Sequence, residues 1–450
     1  MDFSFTNEQE ELRQATIEFA RNELNSDIAE REKQGHFSRD DWDKCADFGI
    51  LGLNVPVAYG GQDHDCVTTI AIMEALGYGC HDNGLPFSLN SQIWSTQAAL
   101  KAFGSDEQKD KYLRAMCTGK AIGAFAITEA DTGSDTYSMK ARARRVDGGY
   151  VLKAEKHYIT NAPVADLAVV FASTNPEAGQ WGISAFIVED GTDGFTRGSN
   201  RDKMGLKTSP FGEIYLDDCF VPEQNRLGAE GAGVSIFATS MASERGYILS
   251  SQLGAMQRQL ETAIEFARER RQFGQPIGRF QAVSNRIVDM KLRLETSRLM
   301  LYKLAWLESQ GEPLTMDAAL TKLHLSETFI ESSMDAIRLH GPIARIDIAQ
   351  ITGMSPATVT AVTSELLAAQ MIRPEDQSEK PDSMKRGRPR ARLVLNPASA
   401  TVAGMKVGAQ SITVMLTDFT GAVIGHAEHP LPQRQYSPEG LRSEVMDALQ

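Results

Sequence analysis

The spacing of hydrophobic positions changes twice along residues 1–339, and each change predicts a different kind of domain. Residues 1–120 repeat apolar positions with a helical period, starting at a capping-box pair, Thr6 and Gln9. Strand-like patterns dominate residues 121–230, with alternation around a turn at Asp147-Gly148-Gly149 and two apolar runs, LAVVFAS and ISAFIVE. From residue 234 the helical period returns in three long segments. The pattern predicts a helical domain (1–120), a β domain (121–230) and a helical bundle (231–341).

The pattern changes again after Gly341. IDIAQITG and SPATVTAVTSELLAAQ predict two short helices around Gly353-Met354, the second with Ser355 as N-cap and Pro356 in its first turn. A polar, proline-rich segment follows, and then TVAGMKVG, SITVMLTDF and AVIGHAEHPL predict three strands. The residues therefore predict a helix pair with helix-turn-helix character and a basic segment at 342–397, followed by three strands within 398–450. The expected fold class is multidomain α+β.

Composition narrows the classes of function. A chain of 450 residues exceeds one ordinary core and predicts two to four domains. The net charge of −13 argues against a chain devoted wholly to nucleic acid, although residues 385–392, KRGRPRAR, are strongly basic. The five cysteines never form CxxC, so neither a disulfide framework nor a metal site is predicted. No apolar run suits a membrane span or a signal peptide, and we expect a cytoplasmic protein without a membrane partner.

Four stretches carry candidate chemistry. FAITEADTGSD (125–135) leads from a strand into a loop that could bind a ring carbonyl or phosphate, or form only a polar turn. KHYITNA (156–162) puts an aromatic residue beside a threonine at a strand end. SERG places Glu244 among apolar residues, where it is either a surface charge or a desolvated base. RERRQFGQPIGRFQ (268–281) clusters arginines where a phosphate could bind.

Together with GLNVPVAYGG and KMGLKTSPFGEIYLDDCFVPEQNRLG, these stretches resemble the acyl-CoA dehydrogenase family over residues 1–341. SERGYILSSQLGAMQRQLE is most similar to members that oxidise acyl or aminoacyl groups on a carrier protein. One departure is Thr132, where the family usually has a smaller residue. The resemblance implies FAD-dependent α,β-dehydrogenation of an acyl thioester presented by CoA or a carrier protein. It also implies that an electron-transfer flavoprotein accepts the electrons.

The resemblance implies a role for individual residues. Glu244 would be the base that removes the α-proton while flavin N5 accepts the β-hydride, and Ser134 and Arg245 would contact the substrate. Flavin contacts are implied for Phe125, Ile127, Thr128, Gly133, Ser134, Tyr158, Ile159 and Thr160. The arginine-rich stretch would grip the FAD of a neighbouring subunit, and so implies a homodimer or homotetramer, through Arg270, Gln272, Phe273 and Gln281.

Residues 342–450 resemble a second family, the winged-helix repressors of the ROK family (repressors and sugar kinases). The helix pair and GRPRARLVLNP carry this resemblance, and residues 398–450 would begin an actin/sugar-kinase-like domain. From the residues alone, a plain αα-hairpin and a solvated basic linker are the alternatives that stay open. The resemblance implies duplex DNA as a possible partner, contacted by Ser355, Thr358, Thr360, Arg386, Arg388 and Arg390.

The two family patterns meet at Gly341. The acyl-CoA dehydrogenase pattern continues with a second glycine where this chain has Pro342, so the sequence predicts a truncated helical bundle. Three hypotheses follow. The chain is a flavin-dependent dehydrogenase, a DNA-binding regulator, or a fusion in which neither activity is intact.

Overall fold

The computed structural model describes residues 4–272 and 274–339, and short segments between 343 and 430. The chain separates into two compact units. The first contains Met1–Leu339 with Ile351–Ser355, and the second contains His340–Gln350 and Pro356–Gln450. The first unit carries the candidate catalytic chemistry.

The first part of this unit is helical, as the sequence predicts. The capping box is confirmed, because the Thr6 hydroxyl accepts the Gln9 N–H at 3.2 Å and the Gln9 side chain accepts the Thr6 N–H at 3.0 Å. π-helical turns join α5 to α6 and α7 to α8. The helices are α1 (Asn7–Glu23), α2 (Ile28–Gln34), α3 (Arg39–Asp47), α4 (Cys66–Gly79), α5 (Gly84–Ser91), α6 (Ala98–Phe103), α7 (Asp106–Gln108) and α8 (Arg114–Cys117).

An eight-stranded sheet follows, in the order β6-β7-β3-β2-β4-β5-β8, with β1 parallel to β4. The predicted hairpin turn is confirmed, since β2 and β3 pair from Val146–Gly149 outward. LAVVFAS and ISAFIVE form the buried antiparallel strands β4 and β5. The strands are β1 (Gly123–Ala126), β2 (Arg142–Val146), β3 (Gly149–Thr160), β4 (Leu167–Ser173), β5 (Ile183–Glu189), β6 (Phe195–Arg197), β7 (Phe211–Pro222) and β8 (Arg226–Leu227).

The unit ends in long helices, and here one prediction is wrong. The sequence predicts three helical segments, but the first is divided between Tyr247 and Ser250 into α9 (Gly233–Tyr247) and α10 (Ser250–Glu269). A short hairpin of β9 (Arg271–Gln272) and β10 (Gln275–Pro276) then leads to α11 (Gln281–Ser309) and α12 (Thr315–Leu339). Within the described part of the chain, no helix has the length and apolar character needed to cross a membrane.

The described segments of the second unit are strands. One sheet has the order β11-β13-β12, and a second has the antiparallel order β14-β15-β16. The second sheet confirms the three strands predicted after residue 398. The strands are β11 (Ile343–Ala344), β12 (Ile372–Pro374), β13 (Arg392–Leu395), β14 (Thr401–Val407), β15 (Ser411–Asp418) and β16 (Val423–Pro430).

Candidate active site

The loop that follows β1 presents its central residues to solvent. Glu129 and Thr132 close a tight turn through reciprocal backbone hydrogen bonds of 3.1 and 3.3 Å. After this turn Gly133 and Ser134 are exposed, and a Cβ added to Gly133 would meet no atom within 4 Å. The predicted flavin residues of this loop therefore lie on an open stretch of backbone, whereas Ile127 is buried beneath it.

The end of β3 carries an exposed aromatic ring in an unusual backbone conformation. Tyr158 has a φ of 61°, a left-handed value that is strained for a bulky residue, and 53% of it is exposed. Its ring lies 6.1 Å from the ring of Phe211, and the Arg201 guanidinium lies 5.9 Å from it. Ile159 is buried and Thr160 is half-buried. Strain of this kind is often retained at ligand sites.

The structure brings the two β-domain stretches together. The backbone N–H of His157 donates to the carbonyl of Thr128 at 2.9 Å, so the loop start and the end of β3 are hydrogen-bonded neighbours. Further along the loop, Tyr137 makes an edge contact with Phe237 of α9 at 6.3 Å between ring centroids. The candidate flavin loop thus contacts the helix that carries Glu244.

Glu244 is half-buried near the end of α9. Burial raises the pKa of its carboxyl, while the positive charges of Lys322 and Arg245 oppose that rise. Lys322 belongs to α12, and burial lowers the pKa of its amine while Glu244 opposes the decrease. Arg245 is exposed. The carboxylate therefore has the raised pKa that suits a general base, with one cation from another helix beside it.

The helix around Glu244 is held by close packing. A Cβ added to Gly246 would lie 2.6 Å from the Leu304 side chain, so α9 approaches α11 closely at this glycine. Tyr247 donates to Glu308 at 2.5 Å, and its ring lies 4.6 Å from that of Trp94. These contacts fix the end of α9 and hence the position of the Glu244 backbone.

The arginine-rich stretch connects α10 to α11. Arg270 is the C-cap residue after α10, Gln272 lies in the β9–β10 hairpin and Gln281 begins α11, and all three are exposed. Phe273 lies outside the described residues, as do Ser355, Thr358, Thr360, Arg386, Arg388 and Arg390. The contacts predicted for these seven residues remain predictions.

Sequence reasoning missed two lysines of the site. Lys322 shows only the pattern of an amphipathic helix, and its relation to Glu244 depends on how α12 packs against α9. Lys156 is fully buried below the candidate flavin loop, where its amine donates to Glu129 at 2.8 Å. Along β3 buried and exposed residues alternate, and Lys156 falls at a position that this alternation predicts to be buried. A buried lysine requires a partner, so this position was the available signal.

The residues present fit a flavin. Thr132 has a buried hydroxyl without a hydrogen-bond partner among the described residues, and the neighbouring backbone at Gly133 is open. The half-exposed Thr128, the exposed Ser134 and the exposed ring of Tyr158 add hydroxyl groups and an aromatic face. A planar aromatic cofactor with a phosphate chain requires this combination of apolar face, hydroxyls and accessible backbone N–H groups.

Comparison with known proteins identifies the family of this chain. Three family models match: acyl-CoA dehydrogenase N-terminal domain (residues 6–120), middle domain (124–219) and C-terminal domain (231–352). An L-prolyl-[peptidyl-carrier protein] dehydrogenase from Serratia sp. is 41% identical over 370 residues, which are 81% of this chain and 96% of that protein.

Two solved structures are similarly close. The prolyl acyl carrier protein oxidase AnaB superposes with a TM-score of 0.76 at 38% identity, covering 81% of this chain and 100% of AnaB. The structure of PigA with FAD and proline has a TM-score of 0.75 at 40% identity, covering 82% of this chain and 99% of PigA.

The fold and the site define a flavin oxidoreductase. The chain belongs to the acyl-CoA dehydrogenase family. The sequence-based prediction of the enzyme class is thereby confirmed.

Proposed function

We propose that the chain is an FAD-dependent dehydrogenase that introduces an α,β double bond into an acyl or aminoacyl thioester on a carrier protein. The position and the raised pKa of Glu244 are the observation that supports this proposal. Glu244 is a half-buried carboxylate with a raised pKa, on a helix that contacts the candidate flavin loop through Phe237 and Tyr137. The relatives named for prolyl carrier proteins favour a prolyl thioester as the substrate.

The proposed roles of the residues follow from their positions. Glu244 accepts the proton from the substrate Cα, and the exposed guanidinium of Arg245 and hydroxyl of Ser134 orient the thioester. Bound FAD supplies a two-electron acceptor for the hydrogen and electron pair that leave Cβ. The flavin site is proposed to be formed by two groups of residues. The first contains Thr128, Gly133, Ser134, Tyr158 and Thr160, and the second, beneath them, contains Phe125, Ile127 and Ile159.

Removing the base tests the proposal. We expect Glu244→Gln to abolish turnover, because an amide cannot accept the α-proton, and to leave FAD bound, because no flavin contact is assigned to Glu244. Visible absorbance of the purified protein measures flavin content, and single-turnover bleaching of that absorbance measures reduction by substrate. Glu11→Gln, the same change at an exposed glutamate of α1, is the surface control. Wild-type turnover in the Glu244 variant would contradict the assignment.

The substrate and the electron acceptor need separate assays. Prolyl-loaded carrier protein should be oxidised faster than butyryl-CoA, since the carrier-dependent relatives are the more similar ones. An electron-transfer flavoprotein is the proposed electron acceptor. Reoxidation by that protein and by dioxygen should be compared, because one relative is called a dehydrogenase and one solved structure an oxidase.

A second candidate function, DNA binding, is favoured by one observation in the second unit. β12 pairs antiparallel with β13, and the sequence between these strands contains KRGRPRA, which continues into Arg392 at the start of β13. We propose that this basic segment forms a wing that contacts DNA phosphates. The winged-helix interpretation of residues 342–397 therefore stays a proposal, with the sugar-kinase-like interpretation of 398–450.

Duplex binding by the full chain tests this second function. A regulator should bind duplex DNA with an affinity that falls steeply with salt, and replacing Arg386, Arg388 and Arg390 by alanine should reduce both affinity and salt dependence. Arg145, Arg201 and Arg279, changed together to alanine, provide a control of equal charge in the first unit. A protein that takes up no FAD and binds no DNA would support the fusion hypothesis instead.

A further inference from the structure

A buried ion pair lies beneath the candidate flavin loop. Lys156 of β3 is fully buried, and its amine donates to the Glu129 carboxylate at 2.8 Å and to the Ile127 carbonyl at 2.9 Å. Glu129 also accepts the backbone N–H groups of Lys140 at 2.6 Å and Ala141 at 3.0 Å. The pair therefore links both ends of the loop to β3, the strand that carries Tyr158.

Packing alone does not explain why an ion pair occupies this position. Two buried ions are costly to desolvate, and a pair of apolar side chains of similar volume would often be no less stable. Burial raises the pKa of Glu129, but the Lys156 charge and three hydrogen bonds oppose it, so that the net pKa is lowered. Glu129 is thus an ion that accepts three donors from two segments, which an apolar residue could not do.

The loop has a different character between these anchored ends. Asp131, Gly133, Ser134 and Asp135 are exposed, and Gly133 has open space where a side chain would lie. The middle stretch is held by the Glu129–Thr132 turn, by the exposed Asp131–Lys140 ion pair at 2.5 Å and by the contact of Tyr137 with Phe237. The buried pair adds an attachment of both loop ends to β3, so the position of the loop's hydroxyls and N–H groups depends in part on this pair.

We propose that Glu129 and Lys156 are positioning residues for the flavin. The pair fixes the distance between the loop start at Ile127–Thr128, the loop end at Lys140–Ala141 and the strand end at Tyr158. Neither side chain touches the flavin in this proposal, because both are buried below the loop. The inference rests on the proposed FAD site and assigns the residues that preorganise it.

Three variants separate positioning from simple stability. Lys156→Met and Glu129→Gln each remove one charge, and the double variant removes both and leaves no unpaired ion. Apoprotein of each is titrated with FAD, and quenching of flavin fluorescence gives the dissociation constant. The visible circular dichroism of the bound flavin reports its environment, and thermal unfolding of the apoprotein reports the fold. Lys140→Met is the matched control, since Lys140 and Asp131 form an exposed ion pair on the same loop, with 73% and 69% of their side chains exposed.

The expected result is a weakening of FAD binding by about ten- to a hundredfold in each single variant, the range expected when a charged buried hydrogen bond is lost. The double variant should remain folded as apoprotein, bind FAD no better than the single variants and show an altered flavin spectrum. The control should bind FAD within about twofold of wild type.

Two results would overturn the proposal. One is FAD binding within about twofold of wild type, with an unchanged flavin spectrum, in the folded double variant. The other is a loss of FAD binding that follows the loss of apoprotein folding in all three variants. Wild-type apoprotein that takes up no FAD would instead contradict the proposed function.

Discussion

Glu244 and Lys322 show how two residues on different helices set one chemical property. Burial alone would hold the Glu244 carboxyl in its neutral form over a wider pH range, and a neutral carboxyl cannot act as a base. Lys322 opposes this by favouring the ionised form. The sequence motif predicts Glu244 as the base but gives no sign of Lys322, because the relation between them arises only when α12 packs against α9.

This pairing predicts a change in pH dependence. The proposed reaction requires ionised Glu244, so the rate falls as the pH decreases through its pKa. Lys322→Met removes the charge that lowers this pKa, and the acidic limb of the kcat profile should therefore move to higher pH. Measurement of kcat against pH with a loaded carrier protein checks the direction. Lys303→Met, at an exposed lysine paired with Asp317, should leave the limb in place. A limb that is unmoved in both variants would exclude an electrostatic role for Lys322.

The elements differ in how well the sequence predicts them. Strands β4 and β5 coincide with the apolar runs LAVVFAS and ISAFIVE, because strands buried on both faces are continuously apolar. The sequence does not predict the break between α9 and α10, because Ile248 and Leu249 continue the apolar face and a single glycine, Gly246, is tolerated inside a helix. What ends α9 is tertiary: Tyr247 packs on Trp94 and donates to Glu308.

The contact between α4 and α10 gives a prediction about an element pair. A Cβ added to Gly254 would overlap the backbone of Glu74 and Tyr78, and one added to Gly77 would overlap the backbone of Ser251. Alanine favours a helix over glycine by about 1 kcal/mol. Gly254→Ala should nevertheless lower the free energy of unfolding by about 1–3 kcal/mol, since backbone cannot move aside as a side chain can.

Chemical denaturation of the apoprotein measures this effect. Gly205→Ala is the control, because a Cβ at Gly205 would meet no atom within 4 Å. It should change the free energy of unfolding by no more than about 0.5 kcal/mol. Equal stability of both variants would mean that α4 and α10 can separate at little cost, contrary to the close approach described above.

At the scale of the whole molecule, the sequence predicts the order of helical, β and helical parts, and the family accounts for that order. The surface of the last two helices was less predictable, because amphipathic periodicity shows that a face is apolar but not what covers it. On α11 and α12 an apolar surface remains exposed, which we call the bundle stripe. It consists of Val288, Leu292, Leu299, Trp306, Met316, Leu320, Leu323, Ile330 and Met334.

The bundle stripe follows the spacing of a helix-packing seam. On α11, Leu292, Leu299 and Trp306 recur every seven residues, and on α12 the apolar positions alternate in steps of three and four apart from one glutamate. Hydrogen bonds such as Ser297–Thr328 at 3.0 Å and Lys303–Asp317 at 2.8 Å hold the two helices antiparallel, so both rows lie along one helix pair. Monomeric soluble proteins rarely expose large apolar patches, so these exposed apolar rows on one helix pair indicate an interface.

A second copy of the chain is the occupant we expect for this surface, in keeping with the homodimer or homotetramer proposed from the family resemblance. An antiparallel helix pair can meet its own copy about a twofold axis, which places the same apolar rows on both sides.

Leu292→Lys and Leu323→Lys, at positions 60% and 61% exposed in the single chain, should then reduce the mass measured by light scattering to that of a smaller assembly. Met204→Lys, at an 86% exposed methionine outside the bundle stripe, should leave the mass unchanged. A lysine at the centre of an apolar interface is costly to desolvate, whereas one on an open surface is not. A wild-type protein that is monomeric at micromolar concentration, or variants that keep its mass, would show that the bundle stripe is not an interface between copies.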